Sequence, residues 1–221
     1  MESVSKEVGT RARAKRAQIL EGAQRVFLQQ GFAATSTDAI AARARISKRT
    51  LYAYYPSKEE LFADVLRGLT VENPQTQVLG SVQRINPGST QELRETLVGL
   101  AKKLMLTIMD PDYLALLRTI IADSHRFPQL GEIFHSTVPE RGIREGSAMI
   151  RRAQENGVAV QGDPEVMMRM FIGPLLTYAL TDGLFKPDGE PQPPGPEKIE
   201  EIVDLYIKAI SYSGVPERSA G

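Results

Sequence analysis

The side chains with most chemical potential lie in one run, TSTDAIAARARISKRTLYAYYPSKEELF, from residue 35 to residue 62. Three consecutive hydroxyls, Thr35, Ser36 and Thr37, open it. Lys48, Arg49 and Thr50 follow together, with Tyr52 and Tyr54 just beyond them and Lys58 after a proline. Hydroxyl, guanidinium, ammonium and phenol groups hydrogen-bond phosphate oxygens and base edges, so the chemistry they suit is recognition of double-stranded DNA. Catalysis has far less to draw on. His125 and His135 are the only histidines, cysteine is absent, and there is no nucleophile elbow, phosphate-cradling glycine loop or zinc-ligand spacing. No enzyme activity, metal site or cofactor is expected.

The charge distribution agrees. The formal net charge over 221 residues is zero. Residues 11–58 nevertheless carry ten basic side chains (Arg11, Arg13, Lys15, Arg16, Arg25, Arg43, Arg45, Lys48, Arg49, Lys58) against Glu21 and Asp38, a net of plus eight. From residue 73 onward the balance is minus four, fifteen Lys or Arg against nineteen Asp or Glu. A basic module within a neutral chain fits a DNA-binding part joined to a part with another task. The start, MESVSKEVGT, has no apolar signal-peptide stretch, and the apolar run 167–180 is broken by Arg169, Gly173, Pro174 and Thr177. A soluble, cytoplasmic protein without a membrane partner is expected.

Short helices must position these groups. Residues 1–10 read as a loose tail. Ile19, Leu20, Ala23, Val26 and Phe27 then form the stripe of an amphipathic helix, which Gly31 is placed to end in the left-handed conformation. Arg11 to Arg16 front this helix, where an arm would reach phosphates. Thr35, Ser36 and Thr37 supply the N-cap of a second helix, Thr35 and Asp38 at capping-box spacing, and its N-terminus suits a phosphate. Ser47 caps a third helix, KRTLYAYY. There Leu51 and Tyr55, four residues apart, turn inward and leave Lys48, Arg49, Thr50, Tyr52, Ala53 and Tyr54 outside. Pro56 stops it, and Ser57 to Glu60 boxes a fourth helix with Leu61, Phe62, Val65, Leu66 and Leu69 inward. Lys58 opposes the dipole of that helix, and a phosphate neighbour would explain it.

Asn73-Pro74, Gly80 and Asn86-Pro87-Gly88 mark a linker over 73–88. Beyond it helical stripes recur. Leu93, Leu97, Leu100, Ala101, Leu104 and Ile108 follow a Ser89 cap. Tyr113, Leu117, Ile120 and Ile121 face inward after Pro111. A break is expected near Pro139, and a helix apolar nearly all round runs from Asp163-Pro164 through Pro174. Ile199, Ile202, Val203, Tyr206, Ala209 and Ile210 line a last one. Strand-like alternation is missing. The expected fold is all-α: a three-helix DNA-binding module with a helix-turn-helix over 11–72, and a larger helical ligand-binding and dimerisation domain over 89–221.

The N-terminal module resembles that of the tetracycline-repressor-type (TetR) transcriptional regulators. The likeness is carried by Phe27 with Gly31-Phe32, Thr35-Ser36-Thr37, Ile40-Ala41, Ile46 to Tyr52 and Tyr54 to Leu61. A weaker likeness to a TetR regulatory domain runs through Arg126 to Leu130, Ile133-Phe134, Pro139-Glu140-Arg141, Gly157, Asp163-Pro164 and Phe171-Ile172-Gly173. One departure falls in the turn, where the family commonly has glycine and this chain has Arg45; a positive φ there costs about 1 kcal/mol or more, so either the turn is altered or the strain is tolerated. Arg45 joins Thr35, Ser36, Thr37, Lys48, Arg49, Thr50, Tyr52, Tyr54 and Lys58 as candidate DNA contacts.

The resemblance implies a repressor relieved by a small-molecule effector, with the two last long helices pairing across a homodimer. Paired recognition helices about 34–36 Å apart would read a palindromic operator. Large or flexible side chains on helices expected to converge (Met105, Met109, Tyr113, Leu117, Ile121, His125, Phe134, Met149, Phe171, Leu175 and Tyr178) are the candidate lining of a mostly apolar effector site. Arg118 and Arg126 are nearby polar candidates. The alternative is a helical small-molecule-binding or enzymatic dimer whose N-terminal module contacts protein.

Overall fold

Serine caps and positive-φ breaks set where the N-terminal helices begin and end. The computed structural model describes residues 2–70, 82–137, 139–186 and 190–211, with side chains from residue 10 on, and every regular element among them is helical. Helix α1 (Glu2–Ala34) already runs through the residues expected as a loose tail. Gly31 interrupts it at φ 74°, ψ 177°. The positive φ was expected; the extended ψ, a combination reserved for glycine, replaces the left-handed helical value. Helices α2 (Thr37–Arg43), α3 (Lys48–Tyr54) and α4 (Lys58–Leu69) follow. Each is capped by a serine, Ser36, Ser47 and Ser57, whose hydroxyl accepts from the backbone N–H three residues on. Of the three hydroxyls expected to supply the α2 cap, Thr35, at capping-box spacing from Asp38, does not serve. It is buried instead, and its hydroxyl donates to Gly31 O at 2.6 Å.

Two compact units emerge, one from Met1–Thr70 with Asp112–Thr137, the other from Val71–Pro111 with Val138–Gly221. Residues 112–137, assigned to the C-terminal part from the sequence, pack with the N-terminal module. The first unit therefore adds α6 (Pro111–Asp123, from Asp112 on) and α7 (Gln129–Thr137) to α1–α4. Its centre is aromatic: Phe62 meets Phe27 and Phe32 edge-on at 5.0 and 5.3 Å, and Phe127 meets Phe32 at 5.3 Å. Asp123 accepts from Ala33 N–H at 3.0 Å, so α6 is bonded to the last turn of α1, beyond Gly31. Gly22 lets α2 close on α1, since a Cβ there would lie 2.9 Å from Ala44 Cβ.

In the second unit α5 (Thr90–Ile108) packs on α10 (Pro196–Ile210), and α8 (Pro139–Glu155) on α9 (Pro164–Ala179). Arg94–Asp204 and Lys102–Glu200 pair α5 with α10. Gly146 has a packing reason within its helix: a Cβ there would sit 2.5 Å from Met168 Sδ. Gln154 closes the α8–α9 connection by donating to Val160 O and Gly162 O at 3.0 and 2.9 Å. Pro174 does not end α9, which widens afterwards into a π-helical turn, Leu180–Leu184, closed by Phe185 N–H on Leu180 O. The helix is apolar on a buried face (Met167, Met168, Phe171, Leu175, Ala179) and also on an exposed one (Val166, Met170, Leu176, Leu180). Of the last helix, Ile207 is buried and Ala209 exposed, the reverse of the expectation for Ala209. No helix among the described residues is long and apolar enough to cross a membrane.

Candidate nucleic-acid interface

A helix of seven residues can commit few side chains to the core, and α3 buries only Leu51, with Tyr55 buried at its C-cap. Everything else on it points away. Lys48 and Arg49 are exposed, Tyr52 and Tyr54 are 46% and 37% exposed, and Thr50 is half-buried against Ser47, the two hydroxyls 2.8 Å apart. The exposed phenols lie one and two turns beyond the cap, where a groove would meet them. Ser36 and Thr37 at the start of α2 join this surface, because Tyr52 Oη stands 3.3 Å from Thr37 Oγ1. Lys48 donates to Asp38 at 2.9 Å. The hydrogen bond and then the charge of Asp38 raise the lysine pKa. Arg45 adopts φ 52°, the one positive-φ non-glycine residue among those described, and is exposed. Of the two alternatives for this turn, an altered backbone or tolerated strain, the structure has the second.

Two candidates are drawn inward. Thr35 is buried and bonded to Gly31 as described, which removes its hydroxyl from the surface. Lys58 donates to Phe32 O and Thr35 O at 2.8 and 2.9 Å and lies 4.2 Å from the Phe32 ring centre. Burial lowers its pKa. The cation at the start of α4 is thus accounted for by two backbone carbonyls, without a phosphate.

Sequence reasoning missed an acidic group at the base of α3. Asp64 on α4 is 5% exposed and accepts from Tyr55 Oη at 2.7 Å and from Arg16 Nε at 3.1 Å, while Arg67 pairs with its other oxygen. A carboxylate flanked by Leu61, Phe62 and Val65, with an arginine three residues on, was the available signal.

The effector candidates are divided between the two units. Met105, Met109, Met149, Phe171 and Leu175 are core residues of the second unit and Tyr178 is half-buried there. In the first unit Tyr113 is buried, which raises its phenol pKa, Leu117 and Phe134 are half-buried, and His125 is exposed. Ile121, expected inward, is 55% exposed: Ile120, Leu116 and Tyr113 supply the buried face of α6 and turn it outward. The second unit does hold an apolar cavity of about 50 Å³, lined by Val82, Leu100, Leu104, Gly142, Gly146, Met168 and Ile172, none of them on the candidate list. No group of three or more potential metal ligands occurs among the described residues.

A capped helix-turn-helix with a basic, phenol-bearing outer face on an otherwise helical chain defines a helix-turn-helix DNA-binding protein. Residues 19–65 match the family described as bacterial regulatory proteins, tetR family, and residues 95–210 match the AefR-like transcriptional repressor C-terminal domain. The chain belongs to the TetR family of transcriptional regulators, a family of regulators and not of enzymes. It is similar to the crystal structure of a protein from Mesorhizobium loti described as a TetR-family transcriptional regulator, at 26% identity and TM-score 0.70, covering 90% of this chain and 96% of that one. It is 30% identical to the flavonoid-responsive regulator FrrA, with TM-score 0.65 over 90% of this chain and 98% of that one. It is also 49% identical over 53 residues to the HTH-type transcriptional repressor SCO4008 of Streptomyces coelicolor. That match spans 24% of this chain and 28% of the relative.

Proposed function

We propose that this regulator is a homodimeric repressor, acting in the cytoplasm, that reads a palindromic operator with α3 and is released by a small, mostly apolar effector. The observation that carries the reading is the division of α3. Leu51 and Tyr55 face the core, and Lys48, Arg49, Tyr52 and Tyr54 are left outside on a basic module. Ser36, Thr37 and Arg45 are the supporting phosphate contacts. Repression is favoured by the kinship with SCO4008 and with the AefR-like C-terminal domain.

The dimer reading rests on Val166, Met170, Leu176 and Leu180 of α9 and its π-helical extension, and on Leu205 of α10, which are 44–61% exposed. Apolar side chains so grouped favour a second copy of the same surface. FrrA responds to flavonoids, and an aromatic, largely apolar effector suits this chain too. The cavity beneath Gly142 and Gly146 seeds its site. At about 50 Å³ it is far below the roughly 300–1,000 Å³ of drug-sized pockets, so binding opens it, with the flexible Met168 as the movable wall. An effector that prefers the opened form weakens DNA binding, and DNA weakens the effector reciprocally. Helix α4 and the Asp123–Ala33 bond, both next to the DNA-facing helices, are the levers.

Selection of bound sequences from a random duplex pool tests the reading. Enrichment of a two-fold palindrome is the expected result, and no enrichment at low salt overturns it.

A further inference from the structure

The buried carboxylate of Asp64 is not a DNA contact, yet it joins three helices of the module. Its Oδ2 accepts from Tyr55 Oη at 2.7 Å, and Arg16 Nε on α1 lies 3.1 Å from the same oxygen and 3.0 Å from Tyr55 Oη. A second Arg16 nitrogen also reaches Oδ2, and Arg67, one turn along α4, pairs with Oδ1. Arg16 lies 5.8 Å from the centre of the Tyr55 ring. Arg16, expected among the arm residues that reach phosphates, is turned to this carboxylate instead.

Tyr55 matters because of where it stands. It is the C-cap of α3, and with Leu51 it is one of two buried side chains that fix how the helix sits. Leu51 is held by shape alone. Tyr55 is held by shape and by a charge-assisted hydrogen bond, the directional kind. Two points are the minimum that sets the orientation of so short a helix, and only the second carries an angular constraint.

We propose that Asp64 is a positioning residue for sequence-specific DNA recognition: through Tyr55 it sets the angle at which Lys48, Arg49, Tyr52 and Tyr54 are presented, with Arg16 and Arg67 fixing the carboxylate. The proposal rests on α3 being the recognition helix. A positioning role differs from a merely structural one in what it changes. Misaimed base contacts lower affinity for the operator, while phosphate contacts still hold any duplex, so the ratio of specific to non-specific binding falls and the salt slope stays. Both guanidinium groups reach solvent, with side chains 58% and 37% exposed. Removing the carboxylate therefore strands no fully buried cation, and Asp64→Asn keeps the shape of the site.

The test compares wild type, Asp64→Asn, Tyr55→Phe, the double variant and Tyr52→Ala. The probes are the duplex recovered by selection from the random pool and a scrambled duplex of the same length and composition, each titrated at several salt concentrations. Asp64→Asn is expected to weaken binding to the selected duplex about tenfold, the size of one lost hydrogen bond to a charged group. Tyr55→Phe, which removes a single hydroxyl and leaves the ring packed, is expected to weaken it about threefold. Both leave the scrambled duplex and the salt slope unchanged, and the double variant is no weaker than Asp64→Asn. If Asp64→Asn fails to fold, Tyr55→Phe decides alone. Wild-type discrimination in both variants alongside a loss in Tyr52→Ala overturns the positioning role and spares the recognition helix. Equal losses on both duplexes also overturn it. Undiminished discrimination in Tyr52→Ala as well overturns the recognition-helix reading itself.

Discussion

The two units solve opposite surface problems. The first hides the rings of Phe27, Phe32 and Phe62 and leaves cations and phenols outside on α3. The second leaves apolar side chains outside, Met170, Leu176 and Leu205 among them, and ties its helices partly with surface ion pairs, Arg94–Asp204 and Lys102–Glu200. A surface of charge and hydrogen-bonding groups fits a polyanion, and a surface of leucine and methionine fits another apolar surface. A protein with no net charge can therefore hold a DNA-binding face, because the relevant quantity is local.

Four changes would break or sharpen this contrast. The largest effect is expected from salt. If about six phosphates are neutralised, operator affinity drops roughly 10³-fold between 50 and 200 mM, as read by fluorescence anisotropy; a flat response would leave the basic face without its partner. Next, Leu176→Glu places a charge in the exposed apolar face of α9. Sedimentation should then show a monomer, and operator affinity should fall about 10²-fold as one half-site is lost. A dimer of unchanged stability would mean that copies pair elsewhere. Third, Gly146→Leu forces a side chain into the space held by Met168 and should cost about 1–3 kcal/mol in denaturant unfolding; Met168→Ala added to it should recover part of the loss. The smallest effect runs the other way. Asp38→Asn releases Lys48 and removes an exposed negative charge beside it, and should strengthen DNA binding about two- to fivefold at low salt. Weaker binding would show that Asp38 orients Lys48 productively.

What was legible in the sequence was local. Ser47, Ser57, Ser89 and Asp163 cap their helices, because a short polar side chain before an amphipathic run has one good use. The inward pair Leu51 and Tyr55 followed from spacing, whereas at Arg45 the sequence left an altered turn and a strained one both open, and the strained one is present. Illegible features were those decided by distant partners. Which of three successive hydroxyls caps α2 depends on Gly31, whose carbonyl takes the Thr35 hydroxyl. Lys58 read as a phosphate ligand because its carbonyl partners lie 26 and 23 residues earlier. Asp64 escaped notice because Arg16 and Tyr55 come from other helices. The effector candidates were chosen by residue size, but most large side chains are core, and the apolar cavity beside Met168 is lined partly by glycines.

The most direct test of DNA recognition by α3 is the affinity of the Lys48→Ala/Tyr52→Ala variant for the selected operator, set against wild type, with thermal unfolding of both followed by circular dichroism. A loss of about 10²-fold or more at an unchanged unfolding midpoint is the predicted result. Wild-type affinity in the folded variant would contradict the assignment of α3 as the recognition helix.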